Sequence, residues 1–332
     1  MRISVIGLGL IGKERIEALL KIAANESLQI CSAFDINEKT RLYVKEKYLI
    51  NVCDTLDSAL SCNPDWVFIA TTNDVVKDIC EKAFLVGANV LIEKPFGRSL
   101  SEAESILKIK PENLQLKVGF NYRFFAGVEK AINDVKLGKF GKLISVNMVL
   151  GHGNAPGMEK SWRFNPEKCG DSATDLGVHL LDLCYQFSKT DISIKYAQSW
   201  RGFWNTGIDE ESHIFLSDSD GTMFNIQTSL NRWRSSFKLE INGTEGYGVV
   251  EGRGKNYGPQ SYKVGKRWGW AGGKTQAESE EVVINQDDCM DSFFKETLCI
   301  LNYSNLDITS TAASSDESLK VMKLLEQYRV LK

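Results

Sequence analysis

The sequence has few of the residues that build metal centres and disulfide frameworks. It contains only three histidines, and none of them has the HxxxH or HExxH spacing of zinc ligands. Eight cysteines are present, but none forms a CxxC pair and several lie inside apolar runs. In a lysine-rich chain of 332 residues, we expect reduced, mostly buried thiols, no disulfide framework and no metal site.

Long apolar runs and a strong net charge are absent as well. No apolar stretch approaches the length of a membrane span. The first apolar run is short and broken by glycine, and Lys13-Glu14-Arg15 follows it, which indicates a buried first strand and not a signal peptide. The net charge of −3 gives no attraction to nucleic acid or anionic membranes. We therefore expect a cytoplasmic protein with no nucleic-acid and no membrane partner.

The length and the order of the predicted elements indicate two domains. In residues 1–120, short apolar strands alternate with helices, which predicts a doubly wound parallel sheet of the α/β class. Residues 121–332 predict an α+β domain with a mainly antiparallel sheet, and its last helix is a candidate to pack near the first domain. Residues 252–275 contain many glycines and aromatic residues and are predicted to be a long loop. The first domain's predicted strands are 2–6, 28–35, 50–53, 66–70, 89–93 and 115–119, and the second domain's predicted helices include 172–187.

A glycine motif lies between the first predicted strand and the first predicted helix. Gly7-Leu8-Gly9-Leu10-Ile11-Gly12 has the GxGxxG spacing of a Rossmann dinucleotide site. The first glycine permits a tight turn, the second lets a pyrophosphate approach the backbone, and the third lets helix and strand pack closely. Free N–H groups at the start of the helix then hold the phosphates, with Leu10 and Ile11 in the first turn.

Asp35 lies at the end of the second predicted strand, 23 residues after Gly12. A carboxylate there accepts both ribose hydroxyls and repels a 2′-phosphate. Because Ile36 and Asn37 follow it, with no adjacent Arg or Ser, NAD is favoured over NADP. The alternative is that Asp35 only caps the next helix.

Two further segments carry residues suited to acid–base chemistry. Glu93-Lys94-Pro95 ends the fifth strand, where ligands bind in doubly wound sheets, so Lys94 is a candidate to hold a substrate oxygen. Asp175 and His179 lie on one face of the predicted helix 172–187, together with Asp182 and Gln186. No Lys, Arg or Glu occurs from Cys169 to Ser188, so this face is predicted to line a protected polar site.

His179 is the candidate general acid/base, because imidazole changes its protonation state nearest to neutral pH. Asp175, one turn earlier, would orient the imidazole or bind a substrate hydroxyl. The alternatives are a surface lysine in a turn for Lys94 and a structural histidine satisfied by Asp175 for His179.

The set and order of these motifs resemble the glucose–fructose oxidoreductase/inositol dehydrogenase (Gfo/Idh/MocA) family. The motifs are the GxGxxG turn, EKP at 93–95, GFNYRF at 119–124 and DxGxHxxD at 175–182. The resemblance covers essentially the whole chain. It implies oxidation or reduction of sugars, cyclitols or nucleotide-linked sugars with NAD or NADP, and a second domain whose large open sheet forms a homodimer or homotetramer.

The resemblance also implies roles for single residues. Lys94, Asp175 and His179 match the family's catalytic Lys, Asp and His. Thr71, Thr72 and Asn73 match a loop along the cofactor, although Thr72 replaces the usual Pro and the His common after this loop is absent. Glu93 is a further expected cofactor contact. Substrate contacts are expected from Lys94, Asn121, Arg123, Asp175 and His179. The segment that contains Trp162 and Arg163 resembles relatives linked to surface-polysaccharide and nucleotide-sugar pathways. Trp162 would then stack on the face of a sugar, and Arg163 would pair with an anion. For these two, core packing and a surface salt bridge are the alternative.

The sequence thus predicts an NAD-dependent dehydrogenase in which Lys94 polarises the reacting oxygen and His179 exchanges its proton. One rival is an enzyme that uses tightly bound NAD transiently for elimination, epimerisation or glycoside cleavage. A second rival is a non-catalytic sensor of NAD or sugar.

Overall fold

The computed structural model describes residues 1–166, 168, 170–266, 279–284, 290–303 and 308–332. These residues form two compact units. The first contains Met1–Asn121 and Ser292–Met322, and the second contains Tyr122–Asp291 and Lys323–Lys332. Segment 292–322 therefore lies with the first unit, whereas the sequence-based division placed it in the second domain. Within the described residues, no helix combines the length and the apolar character needed to cross a membrane.

The first unit is built on a six-stranded sheet, in the order β14-β5-β4-β3-β1-β2. Its first five strands in chain order pair in parallel, which confirms the predicted doubly wound sheet, and β14 joins β5 antiparallel at one edge. The strands are β1 (Arg2–Ile6), β2 (Gln29–Phe34), β3 (Trp66–Ile69), β4 (Asn89–Glu93), β5 (Leu116–Gly119) and β14 (Ala313–Ser314).

Side-chain caps set where most of the early helices begin. Asn37 accepts a hydrogen bond from the Thr40 N–H at 3.1 Å, and Ser99 accepts one from the Glu102 N–H at 3.2 Å. Thr55 and Ser58 form a reciprocal capping box. Helix α1 differs, because its N-cap is Gly9. The helices are α1 (Leu10–Ala23), α2 (Glu38–Tyr48), α3 (Leu56–Leu60), α4 (Val76–Leu85), α5 (Leu100–Ile109), α8 (Met290–Ile300) and α9 (Ser315–Leu331).

The second unit is built on an eight-stranded sheet, in the order β13-β12-β11-β10-β6-β9-β8-β7. Neighbouring strands are antiparallel except β6 and β9, which confirms a mainly antiparallel sheet. The elements are α6 (Ala126–Lys136), β6 (Leu143–Gly151), α7 (Val178–Phe187), β7 (Ile192–Trp200), β8 (Glu211–Asp218), β9 (Met223–Ser229), β10 (Ser236–Gly243), β11 (Gly246–Glu251), β12 (Gln260–Lys266) and β13 (Ser279–Ile284).

The two faces of this sheet differ in what covers them. Helices α6 and α7 pack against one face, where Val146, Met148 and Leu150 of β6 are buried. The other face, here called the open face, presents a cross-strand row of Tyr196, Phe215, Asn225, Asn147 and Glu240. Within that row, Tyr196 is 58% exposed and Phe215 is 44% exposed.

The structure corrects three local predictions. The predicted loop 252–275 contains a 3₁₀ turn at Lys255–Tyr257 and strand β12, and its residues 267–275 lie outside the described residues. Strand 50–53 is reduced to a single bridge between Val52 and Ala33. The predicted helix 172–187 begins with a π-helical segment, Ala173–Gly177, and becomes α-helical only at Val178.

Candidate functional site

The glycine motif forms a turn that other residues cannot occupy. Gly7 has a φ of +90°, and a Cβ there would lie 2.5 Å from the Ala70 carbonyl oxygen. A Cβ on Gly12 would lie 1.9 Å from the Gly7 carbonyl oxygen. The Gly7 N–H donates to the Phe34 carbonyl at 2.8 Å, which ties the turn to the end of β2. The contacts of Gly7 and Gly12 therefore explain why both positions require glycine.

The start of α1 fits an anion. A Cβ on Gly9 would meet no atom of the described residues within 4 Å, so a phosphate can approach the backbone there. The first turn, residues 10–13, carries no acidic side chain, and Leu10 is 62% exposed. N–H groups at a helix start that no side chain caps are suited to bind a pyrophosphate.

Asp35 is fixed beside this turn by two backbone N–H groups. Its Oδ2 accepts from Leu8 at 2.7 Å and its Oδ1 from Asn37 at 2.8 Å. Each carboxylate oxygen retains a second lone pair for a ribose hydroxyl. The alternative role as cap of α2 is wrong, because Asn37 caps that helix. Sequence analysis missed Arg41, whose guanidinium donates to the Asp35 carbonyl at 3.0 Å.

The loop after β3 lies against the glycine turn. A Cβ on Gly7 would come within 2.8 Å of the Thr71 backbone nitrogen, so Thr71 directly adjoins the turn. Thr71 and Thr72 are half-buried, and the Thr71 hydroxyl donates to the Thr72 carbonyl at 3.2 Å. Asn73 is buried and begins a short 3₁₀ turn. The structure thus places this loop beside the predicted phosphate site.

Lys94 follows β4 directly and is half-buried, and the Lys94–Pro95 peptide bond is cis. The preceding Glu93 belongs to a buried ion cluster. Arg15 donates from Nε to Glu93 at 2.6 Å and from Nη2 to Glu296 at 2.5 Å. Burial acts to lower the pKa of Arg15, but both carboxylates outweigh it, so the pKa lies above its ordinary value. The side chain of Glu93, an expected cofactor contact, is thus held in place by the Arg15 guanidinium on α1.

Asp175 and His179 occupy the junction between the π-helical segment and α7. A single π turn within an α-helix is rare and occurs frequently at functional sites. Asp171 caps the segment by accepting from the N–H and hydroxyl of Thr174, each at 2.8 Å. Asp175 is the only half-buried residue between 171 and 184, and His179 is 5% exposed.

Two side chains that sequence analysis did not single out, Tyr122 and Arg253, pack together next to the acid–base pair, and Tyr122 contacts His179 directly. The imidazole stacks on the Tyr122 ring, with centroids 4.0 Å apart and planes inclined by 25°. Arg253 lies 5.4 Å from the Tyr122 ring and 3.8 Å from the Tyr257 ring. Tyr122 falls within the motif GFNYRF, but Arg253 lies in the segment predicted to be a loop. The stack fixes the plane of the imidazole.

The structure gives Arg123 and Asn121 buried, structural contacts. Arg123 is fully buried and binds Asp182 in a bidentate ion pair, at 2.7 and 2.5 Å. Asn121 is 6% exposed and donates to the Ser292 hydroxyl at 3.0 Å. The expectation that Arg123 contacts substrate directly does not agree with a guanidinium that has no exposed surface. Instead, Arg123 anchors α7 one turn beyond His179.

Trp162 and Arg163 lie in a short 3₁₀ turn, Trp162–Phe164. The Trp162 ring is 42% exposed, and the Arg163 guanidinium lies 5.8 Å from its centroid. The core-packing alternative for Trp162 is therefore wrong, because Phe164 is the residue of this turn that is buried.

Three of the described thiols are buried and protonated more readily than an exposed thiol. Cys31, Cys80 and Cys184 are free thiols, and burial raises the pKa of each, for Cys31 to about 12. Cys169 and Cys289 lie outside the described residues. Across the part of the chain that the structure describes, no cluster of three or more His, Cys, Asp or Glu is arranged to hold a metal.

Two family models match the chain. Residues 1–120 match the model of the oxidoreductase family with an NAD-binding Rossmann fold, and residues 128–248 match the Gfo/Idh/MocA C-terminal domain. The chain belongs to the Gfo/Idh/MocA family. Its first unit is accordingly an NAD-binding Rossmann domain, which agrees with the fit of the glycine turn, the α1 start and Asp35 to a dinucleotide.

Among curated relatives of this Gfo/Idh/MocA protein, glucose-6-phosphate 3-dehydrogenase of Bacillus subtilis is 28% identical over 228 residues, covering 65% of this chain and 62% of the relative. Levoglucosan dehydrogenase of Pseudarthrobacter phenanthrenivorans is 31% identical over 208 residues, covering 54% of this chain and 53% of the relative. The matches thus span little more than half of these relatives' length. A solved levoglucosan dehydrogenase complex with NADH shares the fold, with a TM-score of 0.83 at 17% identity over 100% of this chain and 98% of the other.

Proposed function

We propose that this protein is an NAD-dependent dehydrogenase that oxidises or reduces a hydroxyl-bearing carbon of a sugar, cyclitol or nucleotide-linked sugar. Residues 1–120 would bind the cofactor and residues 121–332 the substrate. The observation that carries the proposal is the pair of Asp175 and His179 at a π-to-α junction, in a chain with an NAD-binding Rossmann domain. A sensor of NAD or sugar has no need for such an acid–base pair.

In this proposal NAD, when bound, supplies the acceptor or donor of hydride, and the chain supplies the proton chemistry. Lys94 holds the reacting oxygen of the substrate and stabilises negative charge on it. In oxidation, His179 accepts the hydroxyl proton, and in reduction it returns one. The Tyr122 stack limits rotation of the imidazole, and Asp175 orients it or binds a neighbouring hydroxyl.

NAD is the proposed cofactor in preference to NADP. Asp35 presents a carboxylate whose two oxygens are oriented by the N–H groups of Leu8 and Asn37. A 2′-phosphate would bring its charge close to this fixed carboxylate. Arg41 lies nearby but already donates to the Asp35 and Ile36 carbonyls, so it does not neutralise the side chain directly.

The experiment that tests this function is a turnover assay with a panel of substrates. Sugars, sugar phosphates, cyclitols and nucleotide sugars are first screened by thermal shift with NAD present, since a ligand at 100 times its Kd adds about 2.7 kcal/mol of stability. Stabilising compounds are then incubated with excess NAD, and absorbance is followed at about 340 nm. NADH formed in proportion to product supports the proposal. Product formed without net NADH would show that the enzyme uses NAD transiently. If no product forms from any compound, the proposal that the protein is an enzyme is contradicted.

We also propose that the protein forms a homodimer or homotetramer through the open face of the second unit. Supporting this, Tyr196 and Phe215 are exposed side by side in the centre of adjacent strands. A contiguous exposed apolar patch on a folded sheet is typical of a contact surface.

A further inference from the structure

Four aromatic side chains of the second unit form a continuous row, here called the aromatic ladder. Phe164, Trp204, Phe203 and Trp233 contact one another in sequence, with ring centroids 5.6, 5.0 and 5.8 Å apart and near-perpendicular planes in the last two pairs. The row runs from the interior to the surface. Phe164 is 3% exposed, Phe203 46% and Trp233 88%.

The ladder is held in place by a buried carboxylate. Glu210 is 1% exposed and accepts hydrogen bonds from the backbone N–H groups of Gly202, Phe203 and Trp204, at 3.3, 3.0 and 2.8 Å. The Trp204 indole donates to the Leu230 carbonyl at 3.0 Å. These bonds fix the turn that carries Phe203 and Trp204. Large aromatic surface held rigidly toward solvent marks a binding site.

The loops that carry the ladder are basic, in a protein whose net charge is −3. Segments 200–207 and 231–236 contain Arg201, Arg232 and Arg234 and no acidic residue. Arg163 lies against Trp162 in the loop that carries Phe164. The adjacent acids Asp209 and Glu210 are buried, and Arg201 pairs with Asp209 at 3.5 Å. Aromatic rings interleaved with arginines are suited to a planar ligand that carries negative charge.

The ladder is tied to the segment that carries Asp175. The Ser172 N–H donates to the Asp209 carbonyl at 2.9 Å, and the Thr228 hydroxyl donates to the Ser172 hydroxyl at 3.2 Å. The residues that hold the ladder in place are Glu210 and Leu230. Asp209 directly precedes Glu210, and Thr228 lies two residues before Leu230. Both Glu210 and Leu230 are therefore close in sequence to a residue that is hydrogen-bonded to Ser172. Asp175 lies three residues after Ser172, within one helical turn.

We propose that the aromatic ladder and its arginines bind the nucleoside diphosphate portion of a nucleotide-linked sugar, whose sugar reaches Asp175 and His179. The nucleobase stacks on the face of the Trp233 ring, which is more exposed than Phe203, and the perpendicular Phe203 ring packs beside it. The phosphates pair with Arg163 and Arg234. This inference rests on the proposed function and narrows its substrate class. A neutral second sugar would use the rings but not the arginines, so charge favours the nucleotide.

The test measures binding of uridine diphosphate to the NAD-loaded, full-length protein by calorimetry. Uridine diphosphate is expected to bind, and Trp233→Ala is expected to weaken it by roughly 5- to 100-fold, the range that one base–aromatic stack supplies. Replacing Arg163 and Arg234 together by Gln should weaken the binding of uridine diphosphate but leave the binding of uridine unchanged. The control is Tyr196→Ala, which removes another exposed ring, on the open face, and should leave nucleotide binding unaltered.

The possible outcomes separate this inference from the proposed function. If uridine diphosphate does not bind at millimolar concentration, or if Trp233→Ala and Tyr196→Ala weaken it equally, the inference is overturned even if a free sugar is oxidised. If Trp233→Ala halves the mass in light scattering and leaves nucleotide affinity intact, the ladder is a contact between subunits. His179→Ala should strongly lower turnover while retaining uridine diphosphate binding, so a failed dehydrogenase assay leaves the binding result standing.

Discussion

At the scale of single residues, two of the three histidines, His179 and His213, provide an internal comparison. His179 is buried and stacked on Tyr122, whereas the side chain of His213 is 59% exposed on β8. His179→Ala should lower kcat by ~10²–10⁴-fold, because a general base is removed, and should flatten the acidic limb of the pH profile for oxidation. His213→Ala should change neither. Steady-state kinetics and melting temperature are measured on both variants. A lower melting temperature with near-normal kcat in His179→Ala would show that this histidine is structural.

Lys94 is expected to act on the substrate and not on the cofactor. Lys94→Ala should therefore lower kcat severely while the affinity for NAD, measured by calorimetry, changes little. Folded Lys94→Ala protein with ordinary turnover would remove Lys94 from the mechanism.

Asp175→Asn combined with His179→Ala should lower kcat by less than the product of the two single effects, because both residues serve one proton transfer.

Asp35 is expected to decide the choice of cofactor. The double variant Asp35→Ser, Ile36→Arg should shift preference toward NADP, because it removes the fixed carboxylate and adds a cation at a position that is 91% exposed. The ratio of the Kd values for NAD and NADP is measured before and after the change. Tighter binding of NADP by the unmodified protein would contradict the role given to Asp35.

At the scale of elements, the Arg15 cluster joins α1, the end of β4 and α8. Arg15→Met should lower the free energy of unfolding by about 3–5 kcal/mol, because Glu93 and Glu296 would remain buried without their cation. The matched control is Lys82→Met, which breaks an ion pair with Asp57 in which both side chains are exposed, and it should cost at most ~1 kcal/mol. The free energy of unfolding of both variants is measured by urea denaturation. Equal losses would show that the buried ion cluster contributes no more to stability than the exposed pair.

How much of these elements the sequence predicts depends on how local their causes are. The glycine turn and the parallel strands follow from patterns a few residues long, so they were predicted closely. Strand β12 was missed because Gly258 shortly precedes it and Gly265 lies within it, and these glycines give the segment the composition of a loop. The π segment has the composition of an α-helix, and no local signal distinguishes the two. Arg15 meets Glu296 across 281 residues of sequence, so their pairing follows only from the folded topology.

At the scale of the whole molecule, we expect the protein to self-associate through the exposed apolar side chains of the open face. Phe215→Glu places a charge beside Tyr196 in the cross-strand row and should shift the protein toward monomer. The expected result is a lower molar mass in light scattering at micromolar concentration, with the melting curve retained if the fold is intact. The control is Leu137→Glu, at another exposed apolar residue that follows α6 and lies outside the sheet. A wild-type protein that is already monomeric would contradict the proposed assembly.

The return of residues 292–322 to the first unit has a consequence for biosynthesis. Strand β14 covers the edge of β5, and Glu296 completes the charge balance of Arg15, yet both emerge from the ribosome after the entire second sheet. At elongation rates of about 5–20 residues per second, the nascent Rossmann sheet waits on the order of 10–40 s with an unpaired edge and an incomplete ion cluster. During that interval it presents the backbone groups that chaperones and neighbouring nascent chains bind.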